Sequence, residues 1–144
     1  MTDGRADHTT GRHTQDGTHE TAGAPADAAA RRDFASYEEF WPYYVAMHSK
    51  AATRWVHLTG TLTGLAVTAY GVLRRRPELL LALPVIGYGT AWPAHFLIER
   101  NNPATFGHPA WSLRGDAQMI RMMLAGRDAE LSDIAGKWLA ENGS

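Results

Sequence analysis

The sequence predicts an all-α protein built on a membrane-embedded helical hairpin with flanking interfacial amphipathic helices. Three observations carry this. Two runs, residues 55–73 and 79–98, hold about nineteen and twenty residues without a formal charge, and a helix needs ~20 apolar residues to cross the hydrocarbon core. A compact "RRRPE" at residues 74–78 separates them, a polar connection with Pro77 suited to the first turn of a new helix. An aromatic segment, "YEEFWPYY", precedes the first run, as suits a water–lipid boundary where Trp and Tyr bury their bodies and keep their polar tips wet.

In chain order, residues 1–32 contain almost no large apolar side chain and are expected to be a disordered polar tail, since they bury too little surface to offset chain entropy. The tail lacks the apolar stretch of a secretory signal. Its His8, His13 and His19 are irregularly spaced and read better as a solvated tail than as a metal-binding one. A helical membrane domain follows over residues 33–127. Ser36 is its first N-cap, with Glu39 three residues on to complete a capping box. "NNPATFGHPAWSLRGD" reads as loop. "DAQMIRMMLAG" reads as a short helix opening at Asp116 and stopped by Gly126. Residues 128–144 carry Leu131, Ile134, Trp138 and Leu139 at helical spacing, a C-terminal amphipathic helix that docks on the domain or on lipid.

Composition excludes whole classes. Net charge is −1, so nucleic acid has no electrostatic claim on the chain. There is no cysteine, which removes disulfides, thiolate metal sites and cysteine nucleophiles. Any metal must be held by His, carboxylate or backbone oxygen, and seven His are available.

Hairpin arithmetic gathers some of those His. His57 and His95 each lie nineteen residues from Arg76, so paired antiparallel helices place both ~28 Å from the turn, at one depth. His57, Gly60 and Gly64 share an arc, and the two glycines admit close approach of another helix. Tyr88, Ala91, His95 and Glu99 share a face of the second helix, and Pro93 is expected to kink it below His95. A bend near residues 50–54 would bring His48 back to the same interface. His108 lies beyond the "NNP" loop and reaches that end less securely. Ionisable groups at membrane depth are a functional hypothesis. Imidazoles with one carboxylate suit non-haem Fe(II) and are acceptable to Zn(II). The bland alternative is a His95–Glu99 hydrogen bond across one helical turn.

These residues also carry a resemblance. "EFWPYYVAMH", "RWVHLTGT", "GYGTAWPAHFLIERNNPATFGHPAWSLRGDAQM" and "MMLAG" together resemble the short, bacterial-type branch of a small membrane-protein family. That family includes the fungal endoplasmic-reticulum dioxygenase that shortens 2-hydroxy fatty acids in phytosphingosine breakdown. The resemblance implies a helical membrane domain and an Fe(II)-dependent dioxygenase releasing a one-carbon fragment, with the metal on His48, His57 and His95 and the family's acidic residue on Glu99, a ligand or the partner that orients one imidazole. His108 is carried over only weakly. In this reading Arg54 or Arg100 pairs with the substrate carboxylate, or else snorkels to the interface, and Asn101 and Asn102 orient the ligand or cap the helix. The expected partners are a lipid or fatty-acid substrate and the membrane, and a homo-oligomer is compatible with the sequence. Orientation by Lys and Arg count is near a tie, and both termini are expected on the cytoplasmic side of a bacterial cell membrane. Two other classes stay open, a non-enzymatic membrane hairpin that binds a partner or lipid, and a zinc-dependent lipid hydrolase. Di-iron desaturase chemistry fits poorly, since the membrane domain supplies only four His.

Overall fold

A computed structural model describes residues 33–143. The described residues are helical with no strand. Five α-helices follow one another: α1 (Tyr37–Ala46), α2 (Ala51–Leu73), α3 (Ala82–Ala94), α4 (Pro109–Leu124) and α5 (Asp128–Asn142). A 3-10 turn (Pro77–Leu81) leads into α3, and a π-helical turn (His95–Glu99) continues it. The expected polar tail and its three His lie outside the described residues.

α2 and α3 form the antiparallel hairpin, and its closeness follows from glycine. A Cβ on Gly60 would fall 2.1 Å from Thr90 Oγ1, and one on Gly64 would fall 2.9 Å from the Leu83 backbone. The two segments Ala51–Leu73 and Pro77–Glu99 are each long and apolar enough to cross a membrane. Trp55, Leu73, Leu81, Val85 and Leu97 are exposed on them, apolar side chains that suit a lipid-facing surface. The Arg connection closes with Arg75 in the left-handed region at φ 54. Arg76 N–H reaches back to Gly71 O at 2.8 Å, the bond that satisfies an end carbonyl when a helix stops this way.

The remaining three helices pack together at the histidine end. α1 begins as its capping residues demand, with Ser36 Oγ accepting from Glu39 N–H. The return arm of the box runs from Ala35 N–H to Glu39 Oε2 at 3.0 Å, one residue before the cap. The aromatic face of α1 is buried in protein. Phe40, Tyr43, Tyr44 and Val45 form one core with Met119 of α4 and Leu131 and Ala135 of α5. Trp138 of α5 meets Tyr43 edge-on at 5.5 Å, so α5 docks on the domain.

Two boundaries lie earlier in the chain than expected. The chain reverses at Met47–Lys50, immediately after α1, at the leading edge of the bend expected near 50–54. α4 begins at Pro109 with the proline in its first turn, seven residues before the expected start, because Pro is pre-organised for that position and the one glycine inside, Gly115, packs against the Tyr44 ring. Asp116 therefore sits mid-helix. Gly126 ends α4 as expected, at φ 75, with Arg127 N–H bonded to Met122 O and Gly126 N–H to Met123 O.

Candidate metal centre

His48 follows the C-terminus of α1, His57 is two turns into α2, and His95 opens the π turn after α3. All three are buried. Their ring centroids lie 4.6 Å (His48–His57), 4.6 Å (His48–His95) and 5.4 Å (His57–His95) apart. One nitrogen from each falls within 4.8 Å of the others.

The second nitrogen of every ring is engaged by an oxygen acceptor. His48 Nδ1 donates to Tyr44 O at 2.7 Å. His57 Nδ1 donates to Asp116 Oδ1 at 3.0 Å. His95 Nδ1 donates to Asn101 Oδ1 at 2.9 Å. In a neutral ring such a bond keeps the proton on Nδ1 and leaves Nε2 its lone pair, which is the tautomer a metal needs. His48 Nε2 and His57 Nε2 are buried with no hydrogen-bond partner. Leaving such atoms unpaired costs of order 1–3 kcal/mol each, and a shared cation satisfies both at once. Burial, then the neighbouring His57 and His95, push the His48 ring well below the ordinary imidazole range, so it is held neutral and free to ligate. The donor set therefore fits a transition-metal ion with imidazole preference.

The orienting groups are themselves fixed. Asp116 Oδ1 also accepts from the fully buried Tyr44 hydroxyl. Burial first, and then the Asp116 charge, raise that phenol well above its usual range, so it remains a donor. Asn101 Nδ2 donates to Met47 O at 3.0 Å, tying the third histidine's partner to the loop that carries the first.

The other sequence candidates are placed differently. Glu99 is not gathered with the imidazoles. Its carboxylate accepts from Lys50 N–H at 2.8 Å and Ser49 Oγ at 3.0 Å, capping the positive end of α2. Glu99 closes the π turn after α3, next to the start of α2, where the Ser49 and Lys50 donors take up its carboxylate. Arg54 has no exposed surface. It pairs bidentately with Asp128 at 2.7 and 2.8 Å, and donates to His48 O, Ser49 O and Ser132 Oγ. Arg100 adopts φ 62 and lines a small separate hollow with Phe96, Asn101 and Asn102. His108 stacks on Trp111 at 5.2 Å and meets Phe34 and Phe40, outside the three-His group. Asp116, expected at a helix start, is the carboxylate that reaches a ring. A helix begun at Pro109 is the signal that would have found it.

A cleft of about 610 Å³ opens from the three histidines. α2 contributes Thr61 and Leu65, and α3 contributes Leu83, Pro84, Gly87, Tyr88, Ala91 and Trp92. α4 closes the other side, with Arg121 its single formal cation. The volume suits a drug-sized or lipid-sized ligand.

A helical protein with an exposed apolar hairpin and three buried, pre-oriented imidazoles at the end of an apolar cleft defines a candidate metal-dependent protein that handles lipid. The chain belongs to the Mpo1-like family, described as 2-hydroxy-palmitic acid dioxygenase Mpo1-like, whose family model matches residues 34–128. No curated protein and no solved structure matches it. The family match supports a lipid substrate and membrane association, and a function related to 2-hydroxy fatty acid dioxygenation.

Proposed function

We propose that this protein is a membrane-bound, Fe(II)-dependent dioxygenase that shortens a 2-hydroxy fatty acid by one carbon. The observation that carries the reading is three buried histidines that each offer a nitrogen within 4.8 Å of the others while their Nδ1 atoms are already hydrogen-bonded. His48, His57 and His95 would hold the metal. Asp116, Asn101 and the Tyr44 carbonyl would fix ring orientation, a role whose loss typically weakens metal affinity 10–100-fold. Fe(II) bound there would orient an α-hydroxy carboxylate and oxygen together and accept developing charge. The reaction breaks the C1–C2 bond. One 2-hydroxy acid and one O2 give the acid one carbon shorter, CO2 and water, with oxygen as the sole oxidant.

The chain's own residues supply the rest. The cleft walls exclude water and receive the acyl tail. Arg121 adds a cation for a substrate carboxylate approaching through the cleft. Arg54 and Glu99 act at a distance, holding the turn from His48 to Lys50 against α5 and against the end of α3. Three imidazoles without a carboxylate ligand are also a known donor set for catalytic zinc, and this specific geometry favours a zinc-dependent lipid hydrolase as the second reading. Oxygen uptake with 2-hydroxy fatty acids separates the two. The dioxygenase consumes oxygen and stops without it, whereas the hydrolase continues under anaerobic conditions.

A further inference from the structure

Gly87 stands out from the other hairpin glycines. Gly60, Gly64 and Gly71 are each blocked by a neighbouring segment within 3 Å of where a Cβ would sit. A Cβ on Gly87 meets nothing within 4 Å, yet Gly87 lines the cleft. Its missing side chain therefore leaves space in the cleft itself. Gly89 also meets nothing within 4 Å, but it is exposed and is not part of the cleft wall.

The position along the cleft matters. Gly87 is eight residues before His95, ~12 Å away along the helix, and Leu83 is ~18 Å away. On the facing helix Leu65 is eight residues past His57, again ~12 Å. The cleft thus runs from the histidines toward the Arg74–Arg76 connection, and Gly87 flanks its far half, beside Pro84 and Leu83.

We propose that the cleft takes a single acyl chain, polar end at the histidines and methyl end toward Leu65 and Leu83, and that Gly87 sets the longest chain accepted. This rests on the lipid-substrate reading above and adds the direction of the tail and the residue that limits it. Each methylene buried gains about fourfold in affinity until the wall is met. A leucine at position 87 moves that wall closer to the histidines.

The test uses the full chain in lipid nanodiscs with a series of saturated 2-hydroxy fatty acids of increasing length. Binding is read by displacement of a fluorescent fatty acid, and metal content is measured on the same preparations. Wild type, Gly87→Leu and Gly89→Leu are compared. Expected is a gain of up to about fourfold per methylene in all three for short chains, ending at a shorter chain in Gly87→Leu alone, with metal content equal throughout. Identical length profiles in all three proteins would overturn the proposal and place the tail in bulk lipid, while intact metal binding would leave the metal-centre reading standing. A profile shifted equally by Gly87→Leu and Gly89→Leu would also overturn it, because the effect would then be one of general helix change. Metal lost from wild type would count against the proposed function instead.

Discussion

The ion pair between Arg54 and Asp128 fastens the C-terminal helix to the loop that carries His48, and its removal has a calculable cost. Asp128→Ala strips two of the five hydrogen bonds from a guanidinium with no exposed surface. Charge-assisted bonds are worth ~1.5–3 kcal/mol each net. Asp128 is about one-third exposed, so water replaces part of that loss, and about 2–4 kcal/mol remains, close to the ~3–5 kcal/mol for breaking a buried pair. For a domain of this size the melting temperature should fall by ~10 °C or more. His48 O and Ser49 O stay bonded to the same guanidinium, so metal affinity should fall as well once that group is free to shift. pH supplies an internal check. The hydrogen bond from Arg54 holds the Asp128 carboxyl below its usual value. A carboxyl depressed in the folded state stabilises above its unfolded value of ~3.9 and loses that contribution as pH falls through the folded one. The gap between wild type and Asp128→Asn should therefore narrow below about pH 4. Circular-dichroism melts in detergent across pH 3–7, with metal titrations at neutral pH, measure both effects. An unchanged melting temperature, or a gap that persists undiminished at pH 3, would show that Asp128 does not hold Arg54 in place.

Other outcomes follow from the same geometry. Asp116→Asn keeps the shape but removes the carboxylate charge from His57 and Tyr44, and metal affinity measured by competitive chelation should drop about 10–100-fold with little change in melting temperature. Asn101→Ala should weaken metal binding similarly through His95, and should also free Met47 O. Gly60→Leu forces a side chain onto Thr90 and should destabilise the hairpin by ~1–3 kcal/mol or more, seen as a lower melting temperature. Glu99→Gln retains a capping acceptor for Lys50 N–H, so metal stoichiometry should survive it. Loss of the metal in that variant would make Glu99 a ligand.

What sequence made legible was whatever depends on length and period. Hairpin pairing and the shared depth of His57 and His95 follow from the nineteen-residue separations, and the glycine contacts follow from spacing. Less was legible where local winding departs from 3.6 residues per turn. Glu99 closes the π turn at His95–Glu99 and is taken up by Ser49 and Lys50, donors on a chain reversal that helical period does not place. Arg54 looked like an interfacial cation because its partner, Asp128, lies seventy-four residues away on a helix with its own apolar pattern. Asp116 was hidden by two glycines and two prolines that suggest loop, although proline at a first turn and glycine against the Tyr44 ring are both compatible with helix.

The most direct measurement is the metal content of detergent-purified protein reconstituted with Fe(II) without oxygen, beside a His57→Ala/His95→Ala variant shown to remain folded by its melt. Expected is one iron per chain in the wild type, absent from the variant. A folded wild type that takes up no metal, or a variant that binds as much as the wild type, would contradict a metal centre at these histidines.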